Sequence, residues 1–175
     1  EYARALFTGL APLGKRWVGQ CSIELADEPG LLRLARAAGC VGLFVGVETT
    51  SPEGLASLDK SWNEGERLRE RLALLRGAGI GVIAGMIVGL DRDEPDVFER
   101  TLRFLDEARI DGLQLNVLTP LPGTPLHADF DRQGRILDRD LARYDFRHAV
   151  IRPARMTPGE LQDGADWLYA QYYRL

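Results

Sequence analysis

The chain has 175 residues, of which 45% are hydrophobic and 27% are charged, and its formal net charge at pH 7 is -4. This composition is typical of a globular domain with one substantial core, and the mild acidity disfavours nucleic acid or an anionic membrane as a partner. The apolar runs are shorter than the roughly 20 residues that a membrane-spanning helix needs, so we expect no membrane span.

The two cysteines, Cys21 and Cys40, lie within or at the start of apolar runs, and their spacing matches no zinc or redox motif. We interpret them as buried free thiols of a cytoplasmic protein. The sequence begins at Glu1 rather than at methionine, which suggests a piece of a longer protein.

Four strand-like runs alternate with helix-like segments along the chain. The runs are VGQCSIEL (18–25), GLFVGVE (42–48), GVIAGMIVGL (81–90) and GLQLNVL (112–118). An acidic or hydroxyl residue shortly before a proline predicts helix starts, as at Asp27, Ser51 and Asp93. Strand starts about 25 to 40 residues apart fit βαβ units, so the alternation predicts a parallel sheet with right-handed crossovers.

The end of the chain follows a different pattern. The run Thr157-Pro158-Gly159-Glu160 is a capping box, and it predicts a last helix after an irregular stretch over 120–156. An apolar stripe on that helix is formed by Leu161, Ala165, Leu168 and Tyr172. Four strands are too few for a complete (β/α)₈ barrel, which needs about 250 residues. The predicted fold class is therefore α/β, either an open sheet or part of a larger barrel.

Each predicted strand has one aliphatic face and one face of polar residues or glycines. The polar face carries Gln20, Glu24, Glu48, Gly85, Ile87, Gly89, Gln114 and Asn116. A buried polar group without a partner costs of order 1–3 kcal/mol, so we interpret this face as the wall of a cavity for a polar ligand. Gly85 and Gly89 would leave room for a flat molecule against the backbone. Alternatively, water or a further part of the chain satisfies these groups.

Glu48 ends an apolar strand at the carboxyl edge, where parallel α/β folds bind their ligands. Its carboxylate can accept hydrogen bonds from ribose hydroxyls or from an ammonium group. The alternative is a solvated charge near a helix start. A third interpretation, a barrel lyase or isomerase with Glu48 as its base, lacks a lysine, histidine or metal-ligand cluster at a strand end. Lys60 is predicted to lie in a solvated loop.

Three segments resemble the later strands of radical S-adenosylmethionine (SAM) enzymes. They are LFVGVET, GIGVIAGMIVGLDRDEPDVFERTLRFL and DGLQLNVLTPLPGTPL, and the order of the whole set carries the resemblance. The most similar subgroup is the iron–sulfur oxidoreductases and methyltransferases that often carry a cobalamin-binding domain. The resemblance implies an incomplete (β/α)₆ barrel, of which residues 1–126 would form about four strands and residues 127–175 a C-terminal extension.

The resemblance also implies a lumen that holds SAM and a [4Fe–4S] cluster, with cobalamin as a further cofactor in some members. Glu48 matches the position near the ribose or methionyl part of SAM, and Gly85, Ile87 and Gly89 match the pattern that faces the adenine. Leu118, Thr119 and Pro120 match the segment that closes over the adenine. Gln20, Glu24, Gln114 and Asn116 are expected to contact a small-molecule substrate or the cofactor.

One departure from the family concerns activity. The CxxxCxxC loop whose thiolates hold the cluster does not occur in this sequence. The chain is therefore predicted to be an enzyme fragment that is inactive alone, with the cluster loop upstream. The alternative is a cluster-free module that binds a nucleotide or small metabolite. Truncation would expose the first strand's edge, which favours self-association.

Overall fold

The computed structural model describes residues 1–57 and 65–174, and Lys60 lies outside these ranges. Its sheet has four strands, β1 (Trp17–Cys21), β2 (Cys40–Glu48), β3 (Gly81–Val88) and β4 (Gly112–Val117). All neighbouring strands are parallel, and their order in the sheet is their order in the sequence. The predicted α/β class, a partial parallel (β/α) barrel of four strands, is confirmed.

Helices follow the first three strands, as the sequence predicts, and a helix that was not predicted precedes the first strand. Their bounds are α1 (Tyr2–Leu10), α2 (Pro29–Ala37), α3 (Pro52–Ser57), α4 (Gly65–Gly77), α5 (Val97–Ala108), α6 (Pro125–Arg132) and α7 (Pro158–Tyr172). None of the helices in the described part of the chain is long and apolar enough to cross a membrane.

One face of the sheet is packed against helices and forms the core. On β2 and β3 this face consists of Leu43, Val45, Val47, Val82, Ala84, Met86 and Val88, all buried. The helical stripe of Leu68, Leu72 and Leu75 on α4 is buried in the same cluster. Fully burying a side chain of this kind contributes about 1.5–3 kcal/mol. This aliphatic face therefore fixes which side of the sheet the helices cover.

The first strand is shorter than predicted. β1 ends at Cys21, and Ile23–Asp27 form a 3₁₀ turn that Ser22 caps by accepting from the Glu24 N–H at 3.5 Å. Glu24 therefore does not share the strand face of Gln20. Ser22 also donates to the Glu24 carboxylate at 3.0 Å. Its short side chain favours such local bonds over a continued strand.

Asp27 does not cap a helix, in contrast to the prediction. Its carboxylate accepts from Arg71 Nε at 3.0 Å and from the same guanidinium's NH2 group, and Arg67 lies 3.3 Å away. The hydrogen bond from Arg71 is the main cause that lowers the pKa of Asp27. The Arg71 side chain is only 4% exposed. This ion pair therefore joins α4 to the 3₁₀ turn after β1.

The C-terminal segment packs into the same core as the sheet. The capping box is present, since Thr157 Oγ1 accepts from the Glu160 N–H at 3.1 Å and Glu160 accepts from the Thr157 N–H at 2.7 Å. Leu161 and Leu168 on α7 are fully buried. Part of the stretch predicted to be irregular is helical, because Thr124 caps α6 and Pro125 begins it. The proposed boundary at residue 126 falls inside α6, and the division into two domains stays a prediction.

Gly164 on α7 lies directly against Phe98 on α5, and a Cβ at this position would lie 2.1 Å from Phe98 Cε2. We expect Gly164→Ala to lower the free energy of unfolding by about 1–3 kcal/mol, because the gain in helix propensity is smaller than the overpacking cost. Gly159→Ala is the matched control, since the added carbon's nearest neighbour is Thr157 Oγ1 at 3.9 Å. Urea unfolding followed by circular dichroism measures both, and equal stabilities would contradict the proposed packing.

Candidate functional site

The side of the sheet opposite the core keeps partial exposure at most positions, and we call it the open face. Parallel pairing aligns its residues in rows across the strands. Gln20, Phe44 and Ile83 are successive Cα partners in the first row, Gly46, Gly85 and Gln114 in the second, and Ile87 and Asn116 in the third. The prediction that polar side chains and glycines share one face is therefore correct for these residues.

Phe44 covers the position where the sequence predicts room for a flat ligand. A Cβ added at Gly85 would lie 2.6 Å from Phe44 Cζ. The absence of a side chain at Gly85 thus admits the Phe44 ring, and the predicted clearance at Gly85 needs correction. The ring itself is partly exposed. It offers an apolar, flat surface on which a planar guest can stack.

Glu48 occupies an unusual backbone conformation. Its φ is 73°, and the Thr49 N–H donates to the Val47 carbonyl at 3.0 Å. Together these define a three-residue turn of the rare positive-φ type. The pairing of β2 with β3 shifts register between Gly46 and Glu48. Left-handed backbone at a residue other than glycine costs about 1–3 kcal/mol and clusters at functional sites.

Two buried hydroxyl groups fix the turn that follows Glu48. Thr49 Oγ1 accepts from the Ser51 N–H at 3.2 Å, and Ser51 Oγ accepts from the Gly54 N–H at 3.1 Å. The side chains of Thr49 and Ser51 are 2% and 6% exposed. The strand therefore ends at Glu48 because the chain turns at once into the cap of α3. Glu48 itself stays partly exposed, as do Phe44 and Gly46 on the same strand.

Gly89 does not continue the open face of β3. The strand ends at Val88, and Gly89 is buried with a φ of 92°. A Cβ there would lie 3.0 Å from Leu161 on α7 and 3.7 Å from Leu118 Cβ. Only glycine adopts this φ without strain. The expected room for a ligand at Gly89 is therefore occupied by Leu161.

The buried carboxylate of Asp93 shapes the loop after β3. It accepts from the Gly89 and Leu90 N–H groups, both at 2.9 Å. The side chain is 0% exposed, and this burial raises the pKa of Asp93. Its second oxygen makes no hydrogen bond within the part of the chain that the structure describes. Asp93 therefore fixes the end of β3 and does not take its predicted role as a helix cap.

The segment after β4 lies beside the end of β3. The Leu118 N–H donates to the Val88 carbonyl at 2.9 Å, and Thr119 Oγ1 donates to the Val117 carbonyl at 2.9 Å. Thr119 and Pro120 are buried, whereas Leu118 is partly exposed. The structure therefore brings Leu118 next to Gly89, while Ile87 and Asn116 are neighbours on the open face.

A polar cavity of about 280 Å³ lies near the start of α5. Its lining residues are Ser51, Arg92, Glu94, Asp96, Arg100 and Arg155. Two of the arginines are already paired, Arg155 with Glu94 at 2.9 Å and Arg100 with Asp96 at 3.2 Å. Arg92 is the remaining cation of the lining, and we assign no ligand to this cavity.

The two cysteines lie in environments that disfavour the thiolate form. Burial raises the pKa of Cys21 to about 11, and burial also raises the pKa of Cys40. Metal ligation requires the thiolate, which these environments disfavour. Residues 1–57 and 65–174 contain no group of three or more His, Cys, Asp or Glu side chains that could hold a metal ion. Both thiols are free, as expected, but only Cys40 is buried, whereas Cys21 is partly exposed. The described residues do not fit an iron–sulfur cluster.

Sequence reasoning missed Phe44 and the cavity beside β4 that involves Phe146, Arg147 and Tyr169. Strand alternation places Phe44 on the polar face, which is the one available signal. The position of the Phe44 ring over Gly85 depends on the register between β2 and β3. The cavity depends on how the C-terminal segment packs against β4. The fold and the open face together define a partial (β/α) barrel with one accessible inner wall.

Comparisons with known proteins define the family. No protein-family model matches the chain. The hopanoid C-2 methylase of Rhodopseudomonas palustris is 34% identical over 121 residues, which are 69% of this chain and 23% of that protein. The bacteriochlorophyllide d C-12(1)-methyltransferase of Chlorobaculum tepidum is 28% identical over 174 residues, which are 99% of this chain and 38% of that protein. The chain thus spans 23% and 38% of the length of these relatives.

A solved structure shares the fold. The radical SAM methyltransferase TsrM from Kitasatospora setae, with cobalamin and a [4Fe–4S] cluster bound, matches with a TM-score of 0.63 at 18% identity. The match covers 93% of this chain and 34% of TsrM. The resemblance predicted from the sequence is therefore confirmed, and the chain belongs to the radical SAM family as a part of its barrel.

The strain at Glu48 can be tested with two variants that both remove the carboxylate. We expect Glu48→Gly to be more stable than Glu48→Ala by about 1 kcal/mol, because left-handed backbone costs roughly 1–2 kcal/mol for residues with a Cβ. At Gln20, whose φ is not positive, the Ala variant should be more stable than the Gly variant by about 0.5–1 kcal/mol. Denaturant unfolding gives the four values. The conclusion is wrong if Ala and Gly rank alike at both positions.

The contact of Phe44 with Gly85 can be tested by a double-mutant cycle. We expect Gly85→Ala to lower stability by about 1–3 kcal/mol, because the added methyl group displaces the Phe44 ring. In the Phe44→Ala background the same change should cost nothing or stabilise slightly, since alanine is favoured over glycine in a strand by about 0.5–1 kcal/mol. Independent, additive effects of the two changes would refute the contact.

Proposed function

We propose that this chain forms the adenine and ribose side, and part of the substrate wall, of a radical SAM enzyme of the methyltransferase or cyclase type. The observation that carries the proposal is the strand register on the open face. It pairs Ile87 with Asn116 and, in the neighbouring row, Gly85 with Gln114. The relatives support the reaction class, since they are named as methylases, methyltransferases and a cyclase.

The proposed cofactor contacts lie at the carboxyl ends of three neighbouring strands. Ile87 on β3 and Leu118 in the segment after β4 would contact the adenine. The buried residues Thr119 and Pro120 would hold Leu118 in position. Glu48 would accept hydrogen bonds from the ribose hydroxyls or the methionyl ammonium group. Phe44 is added to this set, because its ring covers Gly85 on the same face.

Two glycines have indirect roles in this proposal. Gly85 admits the Phe44 ring, and Gly89 permits the turn that brings Leu118 beside β3. Both therefore act through neighbouring side chains rather than by leaving space for the adenine. Gln20, Gln114 and Asn116 remain proposed contacts to substrate or cofactor, and Glu24 is left out because it follows β1 in a 3₁₀ turn.

The cluster is assigned to an upstream part of the parent protein, because the described residues do not fit it. When bound there, a [4Fe–4S] cluster supplies the electron that makes SAM a source of radicals. This chain's own residues would bind the adenosyl group, orient it and exclude water. Cobalamin is a further proposed cofactor, by analogy with TsrM, whose structure contains it.

The proposed substrate is a small molecule, since relatives are named for hopanoid, bacteriochlorophyllide and magnesium-protoporphyrin chemistry. Self-association through the outer edge of β1 stays a proposal. It is supported by the outer edge of β1, which pairs with no strand among the described residues. A cytoplasmic location is proposed from the two free cysteines.

A cluster-free binding module is the second candidate function, and the unusual turn at Glu48 is compatible with it. Calorimetry with SAM and with adenosine on the 175-residue chain separates the two. The module should bind its ligand tightly without other segments. The enzyme part should bind SAM weakly or not at all, because the cluster that chelates the methionyl group is held elsewhere.

The gene provides the first test of the proposed enzyme. We expect a CxxxCxxC loop within about 150 residues upstream, on the usual domain-size scale. In the protein with that loop, Ile87→Ala should raise the dissociation constant for SAM by about 10- to 60-fold, since it removes three carbon atoms and each fully buried CH₂ contributes about 0.8 kcal/mol. Equilibrium dialysis measures SAM binding without requiring turnover.

Ile83→Ala is the matched control, because Ile83 lies on the same strand face four residues earlier and is 37% exposed. It should leave SAM binding unchanged. A gene without the loop would exclude the enzyme assignment. Equal effects of the two isoleucine variants would exclude the adenine contact while leaving the enzyme class intact.

A further inference from the structure

The outer edge of β4 has hydrogen-bonded backbone groups near both of its ends and, within the part of the chain that the structure describes, unpaired ones at a single residue between them. The Tyr173 hydroxyl accepts from the Leu113 N–H at 3.0 Å and donates to the Leu113 carbonyl at 2.8 Å. The Phe146 carbonyl accepts from the Val117 N–H at 2.7 Å. Alternate residues of a strand direct their backbone groups to the same side, so Leu115 directs its N–H and C=O outward between these two contacts.

Leu115 lines a cavity of about 390 Å³ between β4 and α7, and we infer that its outward N–H and C=O are directed toward it. Among the described residues, no hydrogen bond is made to the outward N–H or C=O of Leu115. The lining also includes Gln114 and Asn116 of β4 and, from the C-terminal segment, Phe146, Arg147, Asp166 and Tyr169. The cavity therefore combines a backbone donor and acceptor with an apolar and aromatic wall.

Arg147 is the one cation among the described residues that line the cavity, and the carboxylate of Asp166 also lines it. Its guanidinium lies 5.8 Å from the centre of the Tyr169 ring, and no ion pair links it to a carboxylate in the described part of the chain. Gln162 donates to the Arg147 carbonyl at 3.1 Å and to Asp166 at 3.1 Å, which holds this wall in place. A cation that stacks on an aromatic ring remains able to bind a carboxylate through its edge.

We propose that this cavity binds an N-acylated α-amino acid with a free carboxylate. The ligand's amide N–H would donate to the Leu115 carbonyl, and one carboxylate oxygen would accept from the Leu115 N–H. The other carboxylate oxygen would pair with Arg147. The ligand's side chain would lie against Phe146 and Ala165, where apolar surface is available.

The short opening excludes a longer strand. Because Tyr173 and Phe146 occupy the edge groups on both sides of Leu115, only one residue of a ligand can pair with β4. Both a small N-acyl amino acid and the last residue of a peptide have this chemistry. Gln114 and Asn116 line this cavity and are also proposed contacts of the open face, whereas Ile87, Leu118 and Glu48 do not line it. The inference itself uses Leu115 and Arg147 and does not depend on the proposed function.

Calorimetry with the full 175-residue chain tests the proposal, using N-acetyl-L-phenylalanine and its carboxamide as probes. We expect the acid to bind about tenfold more tightly than the amide, as one charge-assisted contact of about 1.4 kcal/mol implies. Arg147→Gln should reduce binding of the acid to the level of the amide. No binding of the acid at millimolar concentration, or equal affinities for acid and amide, would overturn the proposal.

Arg152→Gln is the matched control, because Arg152 is also exposed but lies outside the cavity. It should bind the acid as tightly as the unmodified chain, and a loss equal to that of Arg147→Gln would overturn the assigned role of Arg147. Acetyl-Gly-Gly-L-phenylalanine distinguishes the two ligand sources. Tighter binding than the single residue indicates a peptide C terminus, and weaker binding indicates a small N-acyl amino acid.

Leu115→Pro provides an independent variant. Proline removes the outward N–H, which pairs with no strand, and edge strands tolerate proline at such positions. With an unchanged circular dichroism spectrum, binding of the acid should be lost, and retained binding would overturn the backbone contact. If this variant fails to fold, the comparison of the two arginine variants still decides the proposal.

Discussion

The parallel pairing of β1 to β4 is the constraint from which the rest of the structure follows. Parallel pairing places every strand's carboxyl end at one edge and every alternate side chain on one face. Since the aliphatic face must be buried beneath helices, the other face is left for polar residues, glycines and Phe44. Glu48, Ile87 and Leu118 therefore come near one another although they are far apart in sequence.

The exits from the strands are held by local polar contacts, and these decide what the carboxyl edge presents. Thr49 and Ser51 fix the turn after β2, and Asp93 fixes the loop after β3 through two backbone N–H groups. In each case a buried oxygen replaces water at backbone donors that a strand end leaves unpaired. The hydrogen bonds of Thr49 and Ser51 fix the turn that follows Glu48. They can therefore offset the cost of the left-handed conformation at Glu48.

The strands, the parallel order and the aliphatic face could be predicted from the sequence, because each depends on residue alternation or on the spacing of repeats. The capping box at Thr157 was equally readable, since its partners lie three residues apart. The position of Phe44 over Gly85 could not be read, because a side chain's neighbour on the next strand depends on register. Asp27 shows the same limit, since a pattern that predicts a helix cap cannot reveal Arg71 approaching from another helix.

The two edges of the sheet differ in a way that bears on how the barrel is completed. The edge of β4 is capped by Tyr173 and Phe146, and α7 also covers the end of β3 through Leu161. The outer edge of β1 pairs with no strand and carries no such cover among the described residues. Because an uncapped edge can accept a further strand, additional strands can be added beside β1 and not beside β4. The segment after β4 therefore defines one side of the partial barrel, and its packing leaves only the small opening at Leu115.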